Sequence, residues 1–248
     1  MLKVRLIPVM TFNGVSLVKT KQFDNPRTVG NPIQAARVYN SRNVDELVFV
    51  DIMATQQKRN INLPLVKKVI DECFMPVTIG GGIRRFDDIN DLLGIGADKV
   101  LIKSMALQDS DFIVKAVDYF GSQCISIAVD VIFKEGEYWI HNNNDEKILM
   151  KTFVEKMHEC NVGEFVVNSV NNDGMMNGFD KAIYQKVTQI TSKPIVALGG
   201  AGSPSHFTEL VQTNYNGALA AASIYHFTQY TPQEIKKTLN KKKIPVRI

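Results

Sequence analysis

Short runs rich in β-branched and aromatic residues alternate with stretches of helical periodicity along the whole chain. The strand-like runs fall at 4–11, 46–51, 77–80, 99–103, 124–130, 164–168, 195–198 and 218–222. Helical patterns lie between and after them, at 32–43, 63–73, 86–93, 109–120, 150–160, 182–190, 204–212 and 232–239. Eight strand–helix units in 248 residues predict an α/β fold in which residues 1–248 form a single (β/α)8 TIM barrel. A doubly wound sheet is the rival. It uses fewer units and carries a GxGxxG turn after its first strand, and Phe12-Asn13-Gly14-Val15 lacks that turn.

The pattern also repeats. Met75-Pro76-Val77-Thr78-Ile79-Gly80-Gly81-Gly82 echoes Lys193-Pro194-Ile195-Val196-Ala197-Leu198-Gly199-Gly200, and Asp45-Glu46-Leu47-Val48-Phe49-Val50 echoes Gly163-Glu164-Phe165-Val166-Val167-Asn168. Both echoes share one offset, 118 residues, which predicts a two-fold half-barrel repeat. Residues 134–145, from Glu135-Gly136 to Asn142-Asn143-Asn144, read as an insertion or hairpin after the fifth strand.

Composition narrows the function classes. The chain is 45% hydrophobic and 22% charged, as an ordinary globular protein is. The net charge of +4 is spread out. Its one tight cluster, Lys241-Lys242-Lys243, reads as a solvated helix end, so no nucleic-acid partner is expected. No apolar run reaches membrane-spanning length. Three widely spaced cysteines (Cys73, Cys124, Cys160) fit a reducing compartment, and the expectation is a cytoplasmic protein. His141, His158, His206 and His226 have no metal spacing and no triad context, so neither metal nor cofactor is expected.

Candidate chemistry sits at the strand ends. Gly80-Gly81-Gly82-Ile83 follows the third strand and Gly199-Gly200-Ala201-Gly202 the seventh. Glycine lets backbone N–H groups approach an anion, and a helix start adds positive potential. Ser104 after the fourth strand and Ala222-Ser223 after the eighth complete two matched cradles. Such pairs hold phosphate in barrels, so the expected ligand is a phosphorylated small molecule with a phosphate at each end. The plainer reading is that these glycines only close tight turns.

Alternate strand residues face a barrel's interior. That alternation points Arg5, Ile7, Val9 and Thr11 inward, then Glu46, Val48 and Val50, then Lys99, Leu101 and Lys103. It does the same for Cys124, Ser126, Ala128 and Asp130, and for Glu164, Val166 and Asn168. Arg5, Glu46, Lys99 and Glu164 then form a ring of two positive and two negative charges at the barrel bottom. A buried ring of this kind must be an ion-pair network, either a stabilising plug or a gate. Asp130, at the opposite end, reads as a catalytic acid or base. Lys103 beside it favours the charged carboxylate or contacts an anionic substrate. Asp51 and Asp173 line the rim or serve as turn and cap residues.

The segments Asp45–Ile52 (Asp-Glu-Leu-Val-Phe-Val-Asp-Ile), Thr78-Ile79-Gly80-Gly81-Gly82-Ile83, Gly96-Ala97-Asp98-Lys99-Val100, Ala128-Val129-Asp130, Asn172-Asp173-Gly174 and Gly199-Gly200-Ala201-Gly202 resemble one family over essentially the whole chain. It is HisF, the cyclase subunit of imidazole glycerol phosphate synthase. The resemblance implies a separate HisH-like glutaminase at the barrel bottom, with Asp98 near the interface. It implies ammonia passage through Arg5, Glu46, Lys99 and Glu164, which favours the gate, and a bis-phosphorylated ribulosyl substrate at the top. Asp130 matches one of two catalytic aspartates, and Lys19 a lysine on a mobile first loop.

Three positions depart from that pattern: Thr11 stands for the second catalytic aspartate, Lys103 for an Asn and Leu198 for a Ser. Threonine cannot exchange a proton near neutral pH as a carboxylate does. These departures look like the WbuZ-type, glycosyl amidation-associated HisF-like branch. The expectation is therefore an ammonia-delivering synthase subunit that works with an ATP-dependent amidotransferase in amidination of an acetamido sugar for surface glycan. The alternative is an authentic cyclase of histidine biosynthesis.

Overall fold

The structure, a computed structural model, describes residues 3–142 and 146–248. Asn143, Asn144 and Asp145 of the expected insertion, and Met1-Leu2, lie outside the described residues. Eleven strands are present among the described residues: β1 (Leu6–Phe12), β2 (Leu17–Lys21), β3 (Asp24–Gly30), β4 (Leu47–Asp51), β5 (Val77–Gly80), β6 (Lys99–Ile102), β7 (Ile125–Lys134), β8 (Glu137–Ile140), β9 (Glu164–Ser169), β10 (Ile195–Leu198) and β11 (Ala218–Ala221). Eight of them, β1, β4, β5, β6, β7, β9, β10 and β11, pair in parallel in that order. β11 returns to β1 through Leu6↔Leu219, Ile7↔Ala220 and Pro8↔Ala221, which closes the barrel.

The helices are α1 (Pro32–Ser41), α2 (Leu63–Ile70), α3 (Phe86–Gly94), α4 (Ser104–Gln108), α5 (Ser110–Phe120), α6 (Met150–Glu159), α7 (Lys181–Ile190), α8 (Pro204–Val211), α9 (Ser223–Phe227) and α10 (Pro232–Lys241). Their starts follow local chemistry. Asn31 and Asp180 accept N–H groups of the first turns of α1 and α7, and Thr231 with Glu234 forms a reciprocal cap on α10 behind Pro232. The half-barrel repeat is visible in the extensions: β1 and β7 both run on into antiparallel partners, and β6 and β11 both lead into five-residue helices.

Strand alternation divides the core into two shells. Ile125, Ile127, Val129, Phe49 and Phe165 pack outward under the helices, where truncating a buried Phe costs about 3–5 kcal/mol. The inner shell holds Ile7, Val9, Val48, Leu101, Val166 and Val196 together with Ala218, Ala220 and Ala222.

Three sequence expectations need correction. The stretch after the first strand is a hairpin, β2–β3, rather than a loop. Cys124 lies in a short 3₁₀ turn before β7 and is not part of the inner shell, because the strand begins one residue later. The serines after the fourth and eighth barrel strands open short helices instead of ending strands. The predicted hairpin after the fifth strand is present as β7–β8, turning at Glu135-Gly136. Among the described residues no helix is long and apolar enough to cross a membrane.

Candidate functional site

The C-terminal ends of the barrel strands surround a cavity of about 410 Å³. Asp130, on β7, and Lys103, which follows β6, project into it from neighbouring strands. Lys103 Nζ lies 2.6 Å from Asp130 Oδ2, and Asn168 Nδ2 on β9 donates a long 3.4 Å bond to Asp130 Oδ1. Thr11 also lines the cavity, but its hydroxyl donates to the Val18 carbonyl on β2. That proton is therefore committed to a backbone acceptor, and Asp130 is the carboxylate left facing Lys103.

The β2–β3 hairpin folds over one side of the cavity. Lys19, expected on a mobile loop, lies on β2 and is buried. Its Nζ donates to both Asp173 oxygens, at 2.6 and 2.8 Å, and the Thr20 hydroxyl lies 3.4 Å from Oδ2. Burial pushes the Asp173 carboxyl above the ordinary range, and Lys19 partly offsets it. Half-buried His226 is pushed the other way, to about 4, first by burial and then by Lys19. Phe23 at the hairpin tip lies edge-on to His141, 5.3 Å between centroids, and 5.8 Å from Lys103 Nζ.

Asp51 lines the cavity as a turn residue. It accepts from the Met53 and Ala54 amides and from both terminal nitrogens of the Arg59 guanidinium, at 2.6 and 2.8 Å. With its lone pairs so engaged, its geometry is that of a structural carboxylate.

The two glycine cradles differ. Gly81 and Gly82 have φ of +111° and +70°, and a Cβ on Gly81 would sit 2.3 Å from the Asp51 carbonyl, so both positions require glycine. With Ser104 they open onto the cavity. Gly199 and Gly200 are also left-handed, but the loop before α7 closes over them. Gly178 N donates to Gly200 O at 2.8 Å, and a Cβ on Gly200 would lie 2.0 Å from Gly178 O. Gly202 N, expected to meet an anion, donates to His206 Nδ1 at 3.1 Å. Ala222 reaches the cavity, as does Leu198; Gly199, Gly200, Gly202 and Ser223 do not. Ser223 Oγ is buried without a hydrogen-bond partner among the described residues.

At the opposite end the structure brings the four charged residues into one closed network. Arg5 donates to Glu46 through one nitrogen and to Glu164 Oε2 at 2.6 Å through the other. Lys99 Nζ bridges the same carboxylates at 3.2 and 3.1 Å. Burial alone would lower the Arg5 pKa, but Glu164 and Glu46 outweigh it and hold the guanidinium charged. A second cavity, of about 750 Å³, adjoins the ring at Arg5, Lys99 and Glu164 and extends beside α7 and the segments before β10 and β11. Asp98 is exposed at this end, where it accepts from Val77 N at 2.8 Å.

Sequence reasoning missed Phe23, His141, Asn142 and Glu146, which line the upper cavity from the two hairpins. The segment Asp24-Asn25-Pro26-Arg27-Thr28-Val29-Gly30 is too polar to read as a strand, so nothing in the sequence pointed to a cover over the first strand's end. It also missed the buried pair Lys236–Asp45, 2.8 Å, whose carboxylate additionally accepts from Leu6 N. Among the described residues no cluster of three His, Cys, Asp or Glu side chains is placed to hold a metal.

A closed (β/α)8 barrel with ionisable groups converging on a cavity at the C-terminal strand ends defines the class of barrel proteins whose site is built from βα loops. Residues 5–231 match the histidine biosynthesis protein family. Similar curated proteins are named imidazole glycerol phosphate synthase subunit HisF. Those of Clostridium botulinum (strain Alaska E43 / Type E3) and Exiguobacterium sp. (strain ATCC BAA-1283 / AT1b) are each 37% identical, over 98% and 100% of this chain and 98% and 97% of theirs. That of Staphylococcus saprophyticus is 36% identical over the full length of both. The chain belongs to the histidine biosynthesis protein family, in its HisF group.

Proposed function

We propose that this chain, acting as one barrel over residues 1–248, is the ammonia-using synthase subunit of a cytoplasmic HisF-type glutamine amidotransferase. A HisH-like glutaminase would dock on the face carrying Asp98 and release ammonia below the Arg5–Glu46–Lys99–Glu164 ring. Ammonia would cross the barrel and meet a phosphorylated substrate in the upper cavity. The observation that carries this reading is the closed charged ring on the floor of the same barrel whose upper end holds Asp130. A plug needs no cavity beside it, and here one adjoins the ring at Arg5, Lys99 and Glu164 while another lies at the upper end of the barrel.

For the reaction, the names of the relatives support imidazole glycerol phosphate synthesis, as in histidine biosynthesis, over the glycan role that the sequence alone put first; on that reading the substrate is a bis-phosphorylated ribulosyl compound that is cyclised. In that reaction Asp130 is the proton-transferring group, Lys103 holds it in place and Gly81, Gly82 and Ser104 take one phosphate. The experiment is turnover of that substrate with ammonium salts, and with glutamine after mixing with a HisH-type glutaminase. Robust turnover that disappears in Asp130→Asn supports the cyclase; no turnover under either condition counts against it.

One observation favours a second reading. Thr11 replaces a carboxylate and its hydroxyl is turned to Val18, so of the two positions at which the cyclase uses an aspartate only Asp130 carries one. On that basis the chain belongs to the WbuZ-type branch and delivers ammonia to an ATP-dependent amidotransferase for amidination of an acetamido sugar. Thr11→Asp separates the two. A variant that gains cyclisation absent from the wild type supports this second reading; a wild type already fully active removes it.

A further inference from the structure

The seam between β7 and β9 runs from the charged ring to the upper cavity. Its register sets Ser126 opposite Glu164, Ala128 opposite Val166 and Asp130 opposite Asn168. All six point inward by alternation, since Ala128 and Val166 belong to the inner shell and Asp130 and Asn168 line the cavity. On its other side Ser126 is in register with Leu101, two residues beyond Lys99 of the ring. Ser126 therefore sits one step inside the ring, beneath the cavity floor.

Its hydroxyl is fully buried and has no hydrogen-bond partner among the described residues. An inward polar atom in an apolar shell costs about 1–3 kcal/mol when left unsatisfied, so such a group calls for an occupant. At the top of the same seam Asn168 Oδ1 is also buried and without a partner. Elsewhere the inner shell is small on one side: β11 and the residue after it contribute only Ala218, Ala220 and Ala222, where barrels usually place bulky branched residues. Two unsatisfied polar groups thus mark the two ends of one inward-facing seam.

We infer that Ser126 is an interior binding station for one small neutral hydrogen-bonding molecule, ammonia or water. On the functional reading above, on which the transit role rests, it is the first stop for ammonia beyond the ring, with Asn168 at the far end of the seam. The occupant is neutral because the one nearby carboxylate, Glu164, is already neutralised by Arg5 and Lys99. It is small because Ser126 is fully buried, with Ala128 and Val166 of the inner shell next along the seam. Ammonia and water both donate and accept, and so satisfy a hydroxyl and then an amide oxygen in turn.

Two measurements test this. Crystals of the wild-type chain diffracting well enough to show water should hold an ordered molecule within hydrogen-bond distance of Ser126 Oγ, and Ser126→Ala should lose it. In complex with a HisH-type glutaminase, Ser126→Val, which fills the station with a residue suited to a strand, should lower the ratio of glutamine-driven to ammonium-driven product by about tenfold. Ser126→Ala, which leaves the space open, should change that ratio by less. An empty wild-type station overturns the inference, and so does an unchanged ratio in a folded Ser126→Val protein. If the wild type turns over neither nitrogen source, the functional reading fails, and the crystals alone decide whether the station exists.

Discussion

Lys103 Nζ lies 2.6 Å from Asp130 Oδ2 across neighbouring barrel strands, so the carboxylate at the heart of the cavity carries its own counter-charge. A group so held is oriented as well as neutralised. Asp130→Asn, which keeps the shape, should lower ammonium-driven turnover by about 10²–10⁴-fold, the usual contribution of one positioned proton-transfer group. Lys103→Met should reduce turnover less, and Lys103→Arg less still, because the guanidinium preserves the ion pair. Steady-state kinetics on the three variants gives the order; an Asp130→Asn enzyme as active as wild type would remove this carboxylate from the chemistry.

The ring at the other end makes a different prediction. Arg5 touches both glutamates, and Lys99 touches the same two. Arg5→Ala leaves two part-buried carboxylates sharing one ammonium. The expected loss of stability is about 1–3 kcal/mol, discounted from a fully buried pair because Arg5 is 32% exposed. The expected functional signature is uncoupling: glutamine hydrolysis continues while less of the ammonia appears in product. Equal coupling in the variant and the wild type would mark the ring as a plug.

Lys236 and Asp45 are buried, line neither cavity, and tie α10 to the bottom of β1 and β4, since the same carboxylate accepts from Leu6 N. Removing the cation strands a buried carboxylate, which costs about 3–5 kcal/mol. Lys236→Met should therefore lower the urea midpoint sharply without changing KM for substrate. A midpoint within error of wild type would show that the pair contributes nothing.

His226 sets an acid limb. Burial and Lys19 lower its folded pKa from 6.5 to about 4. The unfolded chain then binds a proton that the folded chain refuses, so stability is present above about pH 6.5 and is lost as pH falls toward 4. The contribution at stake is up to about 3 kcal/mol. Urea unfolding at pH 7.5 and pH 4.5 should show a smaller difference for His226→Gln than for the wild type. An equal difference would assign the acid limb to other groups.

Much of this architecture could be read from the chain because its signals are local. Runs such as Val77–Gly80 and Ile195–Leu198 are β-branched, short and bounded by Pro and Gly, and the structure has them at those limits. Inward pointing of Arg5, Glu46, Lys99 and Glu164 followed from alternation alone, since one-residue shifts in strand boundaries leave parity untouched. What escaped were relations between distant segments. Lys19 meets Asp173 across 154 residues, and neither carries a local mark of its partner. The matched glycine runs looked equivalent in sequence, but closure of Gly178 over Gly200 distinguishes them, and the Gly202–His206 bond takes up an amide that composition left free. Cys124 shows the limit of parity: the turn before β7 breaks the alternation that the residues after it obey.

The inward alanines of β11 and the residue after it have a consequence for engineering. Little of the folding energy resides in the lumen; most of it lies in the mantle between strands and helices, where Phe49, Phe165 and Phe207 are packed. If ammonia crosses the barrel as proposed, enlarging residues 218, 220 and 222 to valine should narrow its route like a valve, at an overpacking cost of about 1–3 kcal/mol that the mantle has to absorb.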